Sequence, residues 1–327
     1  MTELRFDGRV VVVTGGGRGM GYSHCREFAA RGAQVVVSDN GAGIAGEGHD
    51  ATVAEEVAAE IRRDNGRAVA YTADLATEDG ARGAVRCAIE NFGRVDALVH
   101  NAGLSLGGVP FDHERREHLQ KLLDINIFAG WAMLDEAWPV LRAQHYGRVV
   151  LVGSTSMYGI SRNAFYSAAK AAYVAMAHCL AEEALEHGIR INVLLPSSAS
   201  RLAEAMPESE FKRWILTSLR PDQTSAVALY LAHEQCAVTG QSLTAAGGRV
   251  ALSVFAETSG YVSPGLTAED VRDHIDRITS TTGLTAFATY AESVAVLMRD
   301  LGFTPSEQVG DVAARTLGRP GSQAGRS

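Results

Sequence analysis

The feature that most restricts this chain lies near its start. An apolar run, Val10-Val11-Val12-Val13, passes without a linker into Thr14-Gly15-Gly16-Gly17-Arg18-Gly19-Met20-Gly21, and a helix-like stretch, Tyr22–Arg31, follows. β-Branched residues favour an extended strand, and a helix starting so soon after one needs a turn tighter than most side chains permit. Glycines meet that need. They let the backbone approach a pyrophosphate, let helix and strand pack closely, and aim the helix's N-terminal N–H groups at an anion. Alone, such a turn can be an ordinary βα connection; between a strand and a helix it points to a dinucleotide.

The rest of the chain repeats that alternation. Val10–Thr14, Gln34–Ser38, Ala68–Thr72, Ala97–Val99, Arg148–Val152, Arg190–Leu195 and Ser242–Thr244 read as seven strands separated by helix-like segments, among them Ala51–Asn65 after a Gly-rich insertion, Gly41–Asp50. Continuous apolar strands alternating with helices predict a parallel sheet covered on both faces, the doubly wound α/β architecture. The sheet is expected to finish near Gly247–Gly248. Residues 1–249 then form the dinucleotide-binding and catalytic domain, and residues 250–317 a partly helical C-terminal extension with a helix over Ala268–Ile278. The composition of Gly318–Ser327 predicts a disordered tail.

Composition excludes several classes of function. A net charge of −8 with only three lysines (Lys121, Lys170 and Lys212) provides no basic surface for nucleic acid. No apolar run reaches the length of a membrane span, and the polar N-terminus lacks the order of a signal peptide, so a cytoplasmic chain is expected. Cys25, Cys87, Cys179 and Cys236 are widely separated and form neither a disulfide framework nor a metal-ligand pattern, so no metal is expected. The charged run His113–His118 mixes signs as a solvated helix face does.

Two further signals bear on chemistry. The second strand ends in Ser38-Asp39-Asn40, where a carboxylate can accept hydrogen bonds from both ribose hydroxyls and would repel a 2′-phosphate, favouring NAD over NADP. Arg18 carries the opposite signal, since a guanidinium suits a phosphate, and Asp39 can also serve as a turn residue. In Tyr166-Ser167-Ala168-Ala169-Lys170, the i, i+4 spacing places a phenol and an ammonium on one helix face. A cation there favours phenolate, which makes proton exchange feasible near neutral pH. Ser154, at the end of the fifth strand and twelve positions before Tyr166, can bring a hydroxyl to the same sheet edge.

With TGGGRGMG (Thr14–Gly21), Asp39, Asp74, HNAG (His100–Gly103), Asn126, Ser154 and YSAAK (Tyr166–Lys170) in order across residues 6–248, the chain resembles the short-chain dehydrogenase/reductase family. The resemblance implies a Rossmann fold and hydride transfer between a nicotinamide cofactor and a small-molecule carbonyl or alcohol. It implies that Tyr166 is the general acid/base, that Lys170 lowers its pKa and holds the nicotinamide ribose, that Ser154 orients the carbonyl, and that Asn126 completes a proton relay. Gly15, Gly17, Arg18, Gly19, Met20, Gly21, Asp39, Asp74, Leu75, Asn101, Ala102, Gly103 and Pro196 would join Tyr166 and Lys170 in holding the cofactor. Helices over Phe111–Trp131 and Ser167–His187 would form a homodimer or homotetramer interface.

Phe6–Arg9, the insertion after Asp39 and Ala226–Gly248 resemble more narrowly the 3-hydroxyacyl-CoA dehydrogenase module of peroxisomal multifunctional enzyme type 2. That implies a 3-hydroxyacyl or 3-ketoacyl thioester substrate. A polyketide, steroid or other natural-product ketone is the alternative, and a catalytically silent NAD-binding protein a third reading. Three departures from the family stand out: a Ser154-to-Tyr166 spacing one shorter than usual, which makes Ser156 a fallback; Pro196-Ser197 in place of Pro-Gly; and His100 opening the HNAG segment, read as a strand-end residue. Substrate selection falls to Ser197–Leu219, which holds Met206, Phe211, Trp214 and Leu216.

Overall fold

A computed structural model describes residues 2–302 except 205 and 288. The described residues fall into two compact units that divide between Ser253 and Val254; the expected tail Gly318–Ser327 and the end of the extension, 303–317, lie outside the described residues.

The first unit follows the alternation read from the sequence. Its order is β1 (Val10–Thr14), α1 (Gly19–Ala30), β2 (Gln34–Ser38), α2 (Thr52–Arg63), β3 (Arg67–Tyr71), α3 (Glu78–Phe92), β4 (Ala97–His100), α4 (Arg116–Leu123), α5 (Ala129–Gln144), β5 (Gly147–Val152), α6 (Ala164–Ala184), β6 (Ile189–Pro196), α7 (Arg201–Glu204), α8 (Glu210–Ser218), α9 (Pro221–Ala232), β7 (Ser242–Ala246) and β8 (Arg249–Ser253). Every residue of β1, β2 and β5 is buried, because helices cover both faces of the sheet. Val11 and Val13 face one apolar layer with Phe28, Val35 and Ile61, while Val10 and Val12 face the other with Leu98, Met133 and Tyr173.

Three expectations about this unit need correction. The sheet has eight strands, ordered β3-β2-β1-β4-β5-β6-β7-β8, and β8 runs antiparallel to β7, so it is not the seven-stranded parallel sheet expected. The reason is the turn that looked like the end of the sheet. Ala246 pairs with Arg249, and the two intervening glycines both take positive φ (55° and 82°), the conformation a two-residue hairpin requires. The helix expected over Phe111–Trp131 is also interrupted: a 3-10 turn at Phe111–His113 and α4 precede a π-helical segment, Asp124–Phe128, before α5 begins. The second long helix, expected over Ser167–His187, starts earlier, at Ala164, and closes in a 3-10 turn at Leu185–His187.

Strand order reverses between β1 and β4, whose carboxyl ends therefore diverge and open a cleft. Gly15, Asp39, Asp74, Leu75, Ala102 and Gly103 line it. In the second unit, β9 (Phe255–Glu257) pairs antiparallel with β10 (Thr285–Phe287). The expected helix over Ala268–Ile278 is two short ones, α10 (Ala268–Asp273), started by a Thr267/Asp270 capping box, and α11 (Ile275–Ile278); α12 (Tyr290–Asp300) closes the described chain. Among the described residues, no helix is long and apolar enough to cross a membrane.

Candidate active site

The glycine turn leaves β1 with Gly15 at φ +62°, a conformation that L side chains rarely adopt. A Cβ on Gly21, in the first turn of α1, would run into the carbonyl of Gly15. Gly19 and Met20 open α1, which has no acidic residue in its first turn, so its free N–H groups and positive dipole end stay open to an anion. Gly15 and Gly21 thus form a cradle that any side chain would fill.

Asp39 follows β2 beside that turn. Its Oδ2 accepts from the N–H of Gly17 at 2.9 Å and its Oδ1 from that of Gly41 at 2.8 Å. The carboxylate is therefore both the turn residue and the anion of the cleft wall, since each oxygen keeps a second lone pair for a further donor. Arg18 turns toward the insertion and donates to the carbonyls of Gly41 and Ala42 at 3.5 and 3.3 Å. Across the cleft, Asp74 is exposed, accepts from the N–H of Ala76 at 3.0 Å, and stands beside buried Leu75.

The floor is built from the ends of β1 and β4. Asn101 Nδ2 donates to the carbonyls of Thr14 and Gly15 at 3.0 and 3.3 Å, which leaves its Oδ1 buried without a partner. The Thr14 hydroxyl accepts from the N–H of Ala102 at 2.9 Å and lies 3.0 Å from His100 Nδ1. His100 is buried, and its Nε2 sits 3.3 Å from the Ile125 carbonyl. Burial first, and then the Lys170 charge, push its pKa down to about 3, so the ring is neutral. It ends β4 as expected, but it also ties the cleft floor to the π-helical segment, a role that a strand-end reading misses.

Asn126 lies at the centre of that segment. Fully buried, it donates from Nδ2 to the carbonyls of Leu104 and Leu122 at 2.9 Å each and accepts from the N–H of Leu104 at 3.3 Å. Capture of the Leu122 carbonyl by a side chain disturbs the ordinary i→i+4 ladder, the condition under which an α-helix widens to a π-bulge.

Lys170 is 3% exposed and donates to the carbonyl of Val152, at the end of β5, at 3.0 Å. Its Nζ is 5.9 Å from the centre of the Tyr166 ring. A Cβ on Gly103 would lie 3.0 Å from that Nζ and 2.9 Å from Asn126 Oδ1, so cleft wall, lysine and asparagine meet at one point. Ser154 Oγ accepts from the N–H of Ser156 at 3.0 Å and is the one side chain that draws the Tyr166 phenol's pKa down. Ser156, the fallback, is buried with its hydroxyl unpartnered. Pro196 is buried at the end of β6, opposite Ala245.

The electrostatics differ from the simple expectation that Lys170 lowers the Tyr166 pKa. Burial holds the Tyr166 phenol above its ordinary value, opposed only by Ser154, and burial brings Lys170 down to about 7. Desolvation wins because Lys170 is buried and Tyr166 partly buried one helical turn away, so the charged form of each is disfavoured.

Against known proteins, the family model for short chain dehydrogenases matches residues 9–206. The chain belongs to that family. It is therefore an oxidoreductase of a family that uses nicotinamide cofactors and small-molecule substrates. It is 35% identical over 277 residues to a short-chain type dehydrogenase/reductase of Mycobacterium tuberculosis, covering 84% of this chain and 95% of that one. It is 32% identical over 314 residues to peroxisomal multifunctional enzyme type 2 of the mouse, covering 94% of this chain but only 42% of the mouse protein. Among solved structures, 7 alpha-hydroxysteroid dehydrogenase, complexed with NADH and 7-oxo glycochenodeoxycholic acid, superposes with a TM-score of 0.68 at 28% identity over 76% of this dehydrogenase and 98% of that chain. The residues here fit a dinucleotide: Gly15, Asp39, Asp74, Ala102 and Gly103 line one cleft at the glycine turn, and Asn101 Oδ1 is buried without a partner.

Proposed function

We propose that this dehydrogenase is NAD(H)-dependent and interconverts a ketone and a secondary alcohol, with a 3-hydroxyacyl or 3-ketoacyl thioester as its substrate. The observation that carries the chemistry is the gathering of Ser154, Tyr166 and Lys170 around the carboxyl end of β5, with Asn126 and Gly103 against the lysine. Gly15, Gly17, Arg18, Gly19, Met20 and Gly21 would hold the pyrophosphate side of the cofactor, Asp39 the adenosine ribose, Asp74 and Leu75 the adenine, and Asn101, Ala102, Gly103, Lys170 and Pro196 the nicotinamide half. When bound, that cofactor supplies or takes the hydride and brings a positive ring beside the phenol. Ser154 hydrogen-bonds the substrate oxygen, and Tyr166 exchanges a proton with that oxygen. Lys170 stands beside the Tyr166 ring and would hold the nicotinamide ribose, and Asn126 fixes the turn that backs it.

NAD rather than NADP is favoured by Asp39, whose carboxylate is held on the cleft wall by two backbone N–H groups, and by Arg18, whose guanidinium is engaged with the insertion. The thioester is favoured by the likeness to the mouse enzyme along nearly the whole chain. A steroid or polyketide ketone is the second reading, favoured by Phe211 and Trp214 on α8, stacked at 5.8 Å and both at least half exposed. We also propose a homodimer or homotetramer through α4, α5 and α6, supported by half-exposed Phe128 and Trp131, and a cytoplasmic setting, in keeping with four free cysteines. The test follows loss of reduced-nicotinamide absorbance with a panel of 3-ketoacyl thioesters and bulky ketones. Turnover of the thioesters with NADH supports the reading. Turnover confined to the bulky ketones refutes the substrate, and a clear preference for NADPH refutes the cofactor.

A further inference from the structure

The Gly-rich insertion after Asp39 is a closed loop lying along the cofactor cleft. Its neck is shut by the N–H of Asp50 donating to the Asn40 carbonyl at 2.8 Å, and a Cβ on Gly41 would collide with Asp50. Inside, the N–H of Gly43 donates to the Glu47 carbonyl at 2.8 Å and that of Gly46 to Gly43 at 3.1 Å, so the loop has a shape of its own. Its tip crosses toward the opposite wall. There Lys121, on α4, donates from Nζ to the carbonyl of Ala45 at 2.6 Å, and a Cβ on Gly46 would lie 3.1 Å from Lys121 Cε and 3.5 Å from Leu104. Ile44, Gly46, Leu104 and Lys121 line the same cleft as Asp39 and Asp74.

Little else holds the tip down. Ile44, Ala45, Glu47, Gly48 and His49 are all exposed, so the closed position owes little to apolar burial. Two cations grip main-chain carbonyls instead: Arg18 near the neck and Lys121 at the tip. A charged hydrogen bond is the strongest single contact available to such a loop.

We propose that residues 41–50 form a strap over the cofactor cleft and that Lys121 is its latch, a positioning residue that governs how fast a dinucleotide enters and leaves. The inference rests on the reading of the cleft as a nicotinamide dinucleotide site. A latch acts on passage in both directions. Breaking it raises the fraction of time the strap is open, so association and dissociation accelerate by the same factor while affinity stays nearly constant. A lysine that held the nucleotide directly would behave otherwise: its loss would accelerate dissociation alone and weaken binding.

The experiment is stopped-flow fluorescence of NADH binding to wild-type protein, Lys121→Met, Lys121→Arg and Gly46→Ala. Loss of one charged hydrogen bond on a partly solvated rim is expected to raise both rate constants of Lys121→Met about tenfold, with Lys121→Arg near wild type. Gly46→Ala, which strains a residue at φ +72° and crowds Lys121, moves both rates in the same direction. Unchanged rates in Lys121→Met and Gly46→Ala, or faster dissociation alone, overturn the latch while leaving the dinucleotide site standing. Wild-type protein that binds neither NADH nor NADPH overturns both.

Discussion

Gly103 is the place where one methyl group tests the site most sharply. Its backbone does not require positive φ, so alanine there meets no conformational strain; the obstacle is space. The new Cβ would lie 2.9 Å from Asn126 Oδ1 and 3.0 Å from Lys170 Nζ, about half an ångström inside ordinary contact with each. Both neighbours are pinned, the asparagine by three hydrogen bonds and the lysine by Val152, so neither yields freely. A displacement of ~1 Å in a catalytic constellation costs about 10²-fold in rate, so half of that predicts a fall in kcat of roughly tenfold. Overpacking of this kind costs about 1–3 kcal/mol, or a drop in Tm of roughly 2–6 °C for a chain of this size. Steady-state kinetics and calorimetry on Gly103→Ala measure the two quantities. A folded variant with kcat within twofold of wild type would refute the claim that Asn126 and Lys170 must hold their places for turnover.

Other outcomes follow from the charges. Lys170 titrates at about 7 in the fold against 10.5 for an unburied lysine, so between those values the unfolded chain binds more protons and stability rises with pH. Lys170→Met, although inactive, should melt above wild type at pH 6, and the gain should shrink as pH approaches 10; calorimetry across that range checks it. Asp39→Ala removes the carboxylate proposed to hold the ribose and should weaken NADH binding by about 10- to 100-fold, the value of one or more charged hydrogen bonds. Its affinity for NADPH should weaken less or improve. Fluorescence titration with both cofactors decides, and an unchanged NADH/NADPH ratio would remove Asp39 from cofactor choice.

How much of this was legible beforehand depended on how local each cause is. The run of valines before Thr14 and the glycines after it specify strand, turn and helix within a dozen residues, and β1 and β2 lie where the β-branched runs place them. The Tyr166 and Lys170 pairing is likewise a matter of helical spacing. By contrast, β8 hides behind Gly247 and Gly248: a Gly-Gly pair reads as the end of a sheet as readily as it reads as a hairpin, and exposed Val250 and Leu252 give no strong core signal. The π-helical segment is not visible either, since spacing does not report that the Asn126 amide turns back onto the Leu122 carbonyl. Nor does spacing report depth. That Lys170 is brought down to about 7 and the Tyr166 phenol pushed up follows from how far the sheet edge is buried, which only the packed fold determines. The roles of His100 and Lys121 share this character, each resting on one contact across the cleft.

The central claim is that Tyr166, beside Ser154 and Lys170, exchanges the proton in a nicotinamide-linked reaction. The direct measurement compares wild type and Tyr166→Phe in two assays, NADH binding by fluorescence and ketone-dependent NADH oxidation by absorbance. The account predicts that the variant binds NADH with near wild-type affinity and loses turnover by at least about 10²-fold, the usual contribution of a positioned acid/base group. A variant that binds NADH and still turns over at the wild-type rate would contradict it.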